Sequence, residues 1–285
     1  RGISANAVFA VTFTNKAAGE MAARLDRSLG TERARLVTAC TFHRFCIGVL
    51  REHYDSAGLS RQFCIADEDL RRTLIYRAVP TLHLEEGNIT NTLHTLTRLR
   101  RRVRTGNEGD LSPGEKNLLE AYEAQLRSNR LVDFDGLLFT THDLFTRRPE
   151  ILAGYQDRYR HILVDEFQDT DREQYEIARA LASSHQSIFV VADDEQSIYG
   201  WRNADPANIQ HFMDDFNRCE APIVLDRNYR SSSEILRWAR ELIARNELVF
   251  EREVHTQKEG APVRGFAFDA SLEEARFVAL DIRRR

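Results

Sequence analysis

Apolar residues recur along this chain in two rhythms, short solid runs and longer stretches with a period near four. Residues 7–13, AVFAVTF, are nearly all apolar, which predicts a buried strand. Ala17, Met21, Leu25 and Leu29 then repeat every four residues up to Gly30, predicting a helix and its stop. Residues 36–41 predict a second strand. Phe42, Phe45, Cys46, Val49 and Leu50 follow at i, i+3, i+4, i+7 and i+8, an amphipathic helix. From about Asp67 to Arg130 the strand rhythm is lost. Helices are predicted there over 68–79, 89–104 and 113–127, with a polar loop at 106–109. A helix at 134–145, a strand at Ile162, Leu163 and Val164, a helix at 172–182 and a strand at 187–192 restore the alternation. Thr170 with Glu173 forms a capping-box pattern before the 172–182 helix. Asp205 and Pro206 begin another helix, and 222–225 reads as a short strand. Ser231 with Glu234 is expected to cap a helix that turns Ile235, Leu236, Ala239, Leu242 and Ile243 to the core. A strand at 263–268 and a helix from Ser271 close the chain. Such alternation predicts an α/β fold with a mostly parallel sheet, carrying a helical insertion.

Composition narrows the class. With 285 residues, a formal charge of −4 and 42% hydrophobic residues, the chain is globular and large enough for one big domain or two small ones. The charge excludes a wholesale polyelectrolyte binder but leaves room for a local basic groove. No apolar run approaches the roughly 20 residues of a membrane span, and the opening RGISANAV lacks a signal-peptide layout. Cys40, Cys46, Cys64 and Cys219 form no CxxC pair, which points away from zinc or a disulfide framework and toward a reducing cytoplasm. The chain begins at Arg1 with a strand almost at once and ends at Arg283, Arg284 and Arg285 inside a helical pattern. It therefore reads as a piece of a longer protein.

The candidate chemistry gathers at strand ends. The run Ile162, Leu163, Val164 stops at Asp165 and Glu166, with Asp169 and Asp171 close behind. Open α/β sheets bind ligands at the carboxyl ends of their strands. A hydrated Mg²⁺ carrying nucleotide phosphates suits such acids, and an acidic helix cap is the plain alternative. The strand at 187–192 also ends in acids, Asp193, Asp194 and Glu195, followed by Gln196, an amide suited to a phosphate or an attacking water. Tyr199, Trp201 and Arg202 around Gly200 supply what base stacking needs, whereas a single aromatic there would read as a core anchor. Arg230, at the mouth of a helix, suits charge stabilisation on a phosphoryl group, and Tyr229 suits stacking on a nucleobase; a surface Arg beside a cap is the simpler reading. Thr12, Phe13, Thr14, Asn15 and Lys16 end the first strand, and Thr41, Phe42 and His43 end the second. Hydroxyls, an amide and a lysine there suit contacts along a nucleic-acid backbone. The basic run 98–104, RLRRRVR, reads first as a solvated helix face and second as a duplex-DNA contact.

The stretches VTFTNKAAGEM, CTFHRF, LVDFDGLL, ILVDEFQDTD, VADDEQSIYGWR and LDRNYRSSSEIL stand in the order and spacing of the UvrD/Rep family of superfamily 1 DNA helicases. The chain resembles that family over essentially its whole length. The resemblance implies a RecA-like P-loop NTPase core with a helical inserted subdomain and the start of a second RecA-like domain. On that basis the core comprises 1–65 and 131–247, the insertion 66–130, and the second domain begins at 248–285. It implies an ATP- and Mg²⁺-dependent helicase or translocase moving 3′ to 5′ on single-stranded DNA, acting at single-strand/duplex junctions in repair or replication, in the cytoplasm at the nucleoid. By match, Asp165 holds Mg²⁺, Glu166 is the general base, and Gln196 senses the γ-phosphate. Arg230 contacts that phosphate and Tyr229 stacks on adenine. Phe13, Thr14, Asn15, His43, Tyr199, Trp201 and Arg202 line the DNA track.

The chain departs from the family pattern at several points. No GxxxxGK[ST] phosphate loop occurs in the 285 residues. Ala192, Glu195 and Gly136 stand where the family commonly has Gly, Asp and an acid. A DNA-binding module without turnover, and the helicase part of a helicase–nuclease, are the alternative readings.

Overall fold

The computed structural model describes residues 2–78, 89–104, 106, 111–217, 222–246 and 252–284. The chain divides into two compact units, Arg1–Asn217 and Arg218–Arg285.

The first unit opens with β1 (Val8–Thr12), α1 (Asn15–Leu29), the short α2 (Thr31–Ala34), β2 (Thr38–Thr41) and α3 (Phe42–Glu52). Next come β3 (Cys64–Ala66), α4 (Glu68–Ala78), α5 (Ile89–Arg104), α6 (Pro113–Ser128) and β4 (Leu131–Asp133). Then follow α7 (Phe134–Arg147), α8 (Pro149–Arg158), β5 (His161–Val164), α9 (Arg172–Ala182), β6 (Ile188–Val190) and α10 (Ala207–Asp215). Four strands form one parallel sheet in the order β2-β1-β5-β6, in register Val11 with Val164 and Val164 with Val190. The predicted α/β class and parallel sheet are therefore present.

Alternation of side chains explains how the sheet is used. Phe9, Val11, Ile162, Val164 and Ile188 lie on one face and are buried, where α7 packs on α3 and α9. Leu163 and Phe189, a register pair on the other face, stay exposed, as does Val191. The expected fully buried β5 is thus buried on one side only, and α1 lies against β1 and β2.

The residues between β3 and β4 carry a core of their own. Leu74, Ile75, Leu93, Leu96, Leu99, Leu118, Tyr122 and Leu126 pack together there. Sequence reading missed its base: β3 and β4 pair in parallel, Cys64 with Leu131 through Ala66 with Asp133. At three residues each they are too short to show an alternation. Helix α8 also went unpredicted. The loop expected at 106–109, residue 79 of the α4 prediction, and Cys219 lie largely or wholly outside the described residues.

The basic run needs correction. Thr97, Arg100, Arg101 and Arg104 fall at i, i+3, i+4 and i+7, one stripe of α5, and the stripe faces protein rather than solvent or DNA. Arg100 is buried and donates to Asp133 at 2.8 and 3.0 Å and to Glu123 at 2.6 Å. Arg101 makes a forked pair with Glu173 at 2.6–3.2 Å. Arg104 pairs with Asp143 and lies over the Phe139 ring. Asp133 also accepts from Tyr122 Oη at 2.8 Å and lies 3.3 Å from Arg71 Nε. Its burial alone would raise the carboxyl; Arg100 and Arg71 outweigh that and hold it below its usual range. Asp133 also caps α7 by accepting from Gly136 N at 2.8 Å. A Cβ at position 136 would stand 2.7 Å from that held carboxylate, so glycine here has a steric reason.

The second unit contains α11 (Ser233–Ile243) and α12 (Ser271–Arg284). Neither expected strand is seen among the described residues: 222–225 and 263–268 carry no regular secondary structure, and the pairing seen there is a bridge between Arg227 and His255. Phe266 and Phe268 instead pack on Phe277 of α12, centroids 4.6 and 5.2 Å apart. Ser232, not Ser231, stands at the N-cap of α11, with no side-chain cap bond; Ser231 N donates to Asn228 Oδ1. Within this unit Ile235, Ala239 and Leu242, expected to face the core, are exposed, and Leu236 and Ile243 are half-buried.

Candidate functional site

Parallel pairing places the ends of β1, β2, β5 and β6 side by side. Asp165 N donates to Val11 O at 2.9 Å, so Asp165 leaves the sheet beside Thr12. Glu166 is held in the left-handed region, φ 52° and ψ 45°, and starts a single 3-10 turn, Phe167–Asp169. An acid in that conformation costs about 1–2 kcal/mol relative to an ordinary one.

The turn carries a residue the sequence reading passed over. Gln168, 1% exposed, donates to Glu166 Oε2 at 2.9 Å and accepts from Asp193 N at 2.9 Å. Gln196 in turn donates to the Asp193 carboxylate. Glu166, Gln168, Asp193 and Gln196 thus form one hydrogen-bonded line across the ends of β5 and β6. The signal was an amide two residues after the acid pair, which strand and cap rules do not interpret.

Two carboxyls, one in the turn and one just after it, are shifted upward. Burial, with the Glu166 charge, pushes Asp169 up to about 6, and its Oδ1 has no hydrogen-bond partner. The expected capping box at Thr170 and Glu173 is displaced by one residue: Asp171 and Gln174 form it, Thr170 Oγ1 donates to Phe167 O, and Glu173 pairs with Arg101. Burial and the nearby Glu173 push Asp171 up to about 7. Its folded pKa exceeds the ordinary value of about 4, so the native state holds a proton the unfolded chain has released. Stability therefore falls as pH rises from about 4 to about 7. Asp171→Asn keeps a capping oxygen and is expected to flatten that fall; urea midpoints with an unchanged pH slope would refute it.

The aromatic candidates form two groups. Phe13 and Tyr199 rings lie 5.1 Å apart and Tyr199 and Trp201 6.2 Å apart, with Trp201 61% exposed. His43 meets Phe134 edge-on at 5.6 Å, and Phe134 is 43% exposed. Phe134 lies within the LVDFDGLL stretch, where sequence alone does not distinguish it from a core aromatic; its exposure is what marks it. Burial lowers the His43 pKa despite the Asp135 charge, so His43 is neutral at pH 7. Thr14, Asn15 and Lys16 are exposed, with Thr14 accepting from Ala17 N as the cap of α1. Thr12 is buried with an unpartnered hydroxyl, and the buried Thr41 hydroxyl accepts from Arg44 N at 3.3 Å. Neither offers the exposed phosphate contact expected of it. The Arg202 side chain lies outside the described residues. Tyr229 and Arg230 belong to the second unit, both exposed; Arg227 lies over the Tyr229 ring at 4.9 Å, and Asn228 Oδ1 accepts from Arg230 N.

No cluster of three or more metal-ligating side chains occurs among the described residues. Mg²⁺ keeps most of its waters and uses one or two protein carboxylates, so Asp165 with the neighbouring Glu166 fits its donor chemistry.

An open parallel sheet with its polar residues at the carboxyl strand ends and a helical insertion after the second strand has a RecA-like α/β fold. The family model described as the UvrD/REP helicase N-terminal domain matches residues 1–217, and the chain belongs to that family. It is 32% identical over 291 aligned positions to a protein named ATP-dependent DNA helicase PcrA from Staphylococcus epidermidis, covering 99% of this chain and 40% of that protein. Proteins of the same name from Leuconostoc citreum and Staphylococcus aureus are 33% identical, covering 97% and 99% of this chain and 38% and 40% of theirs. The chain thus spans about 40% of the length of these relatives.

Proposed function

We propose that this chain is the nucleotide- and DNA-handling part of an ATP-dependent DNA helicase that moves 3′ to 5′ along single-stranded DNA and opens duplex at a junction. The observation that carries the proposal is a division of chemistry among the carboxyl ends of the strands. Acids and amides line the ends of β5 and β6, while aromatics stand at Phe13 after β1, at Tyr199 and Trp201 after β6, and at Phe134 after β4, with Trp201 and Phe134 exposed. Family membership and the helicase names of its relatives support it.

In this reading Asp165 is the Mg²⁺ ligand. The ion, when bound with ATP, would neutralise charge on the phosphates. Glu166 takes a proton from the attacking water, held in place by Gln168. Gln196 reads the γ-phosphate, Arg230 contacts it, and Tyr229 stacks on adenine. Phe13, Tyr199 and Trp201 stack on bases, Arg202 joins them, and Thr14, Asn15 and Lys16 contact the backbone. Neutral His43 donates or accepts a hydrogen bond rather than acting as a cation. Residues 66–130 form the inserted subdomain, and 248–285 begin a second RecA-like domain. The proposed setting is the cytoplasm, at the nucleoid; no helix among the described residues is long and apolar enough to cross a membrane.

The test is binding of a single-stranded oligonucleotide, read by fluorescence anisotropy. Trp201→Ala is expected to weaken it by about 1–3 kcal/mol, or roughly 5–150-fold. Equal affinity in wild type and variant would remove Trp201 from the track, and no binding by the wild type would remove the proposal. For the chain taken alone, the lack of a phosphate loop favours a second reading, a DNA-binding module without turnover.

A further inference from the structure

Helix α5 grips both sides of the candidate site. Toward the nucleic-acid side, Phe134 stands between two carboxylates in sequence, Asp133 and Asp135, and α5 holds both. Arg100 donates to Asp133, and Thr97 Oγ1 donates to Asp135 at 2.6 Å. Phe134 itself meets His43. Toward the acidic side, Arg101, the next residue of α5, forks onto Glu173 in the first turn of α9. That turn is joined to the 3-10 turn after Glu166 by the Asp171–Gln174 box and by Thr170 bonded to Phe167 O. A contiguous chain of contacts therefore runs from His43 and Phe134 through α5 to the segment bearing Asp165 and Glu166: the His43–Phe134 ring contact opens it, and the side-chain links from Asp133 and Asp135 onward are hydrogen bonds. A packed and hydrogen-bonded chain of this kind is what can carry coupling between two sites. A solvated basic helix would need none of this pairing.

We propose that Arg101 is a positioning residue that couples the nucleic-acid surface at His43 and Phe134 to the acid-bearing turn at Asp165–Asp169. The inference rests on the DNA-binding reading above but needs no ATP turnover, so the 285-residue chain itself suffices for the test. Amide hydrogen exchange over residues 166–175 is followed with and without a saturating oligothymidylate. Wild type is expected to exchange there about fivefold more slowly when DNA is bound, the low end of a common coupling energy. Arg101→Met is expected to abolish this slowing while oligothymidylate affinity and exchange near His43 stay as in wild type. Glu173→Gln breaks the same pair from the other side with a near-isosteric amide, and it decides the matter if the first variant does not fold. Protection retained in these variants, or absent in DNA-saturated wild type, overturns the role of Arg101. Failure of wild type to bind the oligothymidylate overturns the DNA-binding reading instead.

Discussion

Asp133→Ala is expected to lower the unfolding free energy by about 3–5 kcal/mol, measured by urea titration of the 285-residue chain. Asp133 is fully buried and accepts from Arg100, Tyr122 and the Gly136 backbone, with Arg71 beside it. Its removal leaves the buried Arg100 with the partly exposed Glu123 as its remaining carboxylate partner among the described residues, and also takes away the cap of α7. Domains are stable by about 5–15 kcal/mol in total, so the loss is a large share. Asp133→Asn keeps an oxygen for the cap but loses the charge, and is expected to fall between. A loss below about 1 kcal/mol would class the cluster with exposed ion pairs and defeat the argument.

Glu166→Gln is expected to cut ATP turnover by about 10²–10⁴-fold, the range for a positioned general base, in a form of the protein that includes a phosphate loop. Gln168 donates to Glu166 Oε2, and the amide oxygen of a glutamine there still accepts that bond. Geometry is retained while basicity is lost, so nucleotide affinity is expected to hold. The 285-residue chain sets the baseline: with no phosphate loop, its own turnover is expected to be negligible. DNA-stimulated hydrolysis by that chain, abolished by Glu166→Gln, would overturn the negligible baseline, and turnover unchanged by Glu166→Gln in the longer form would remove Glu166 as the base.

Much of this fold was legible because periodicity is local. The 3.6-residue pattern placed α3 and its five buried residues, Phe42, Phe45, Cys46, Val49 and Leu50, as observed. The end of β5 at Asp165 was legible for the same reason. What escaped depends on partners far along the chain. Arg100 and Arg101 look like any surface pair until Asp133 and Glu173 are brought to them. Residues 222–225 have strand composition but no strand beside them among the described residues, so composition misled. Thr12 and Thr41 carry hydroxyls suited to phosphate, yet both are buried. Gln168 carries no periodic signature, because its role lies in joining two strand ends.

The left-handed backbone at Glu166 bears on how the position drifts under mutation. Glycine sits in that conformation at little cost but would leave the buried Gln168 amide without its acceptor, a loss of about 1–3 kcal/mol that offsets the strain removed. Asparagine tolerates the same backbone and keeps a side-chain carbonyl, so on folding it competes with glutamate once the acid is no longer selected. In a lineage released from that selection, position 166 is where an early substitution to Asn is expected, ahead of the buried Gln168 and Asp133. The residue found there therefore serves as a record of whether the chemistry is still in use.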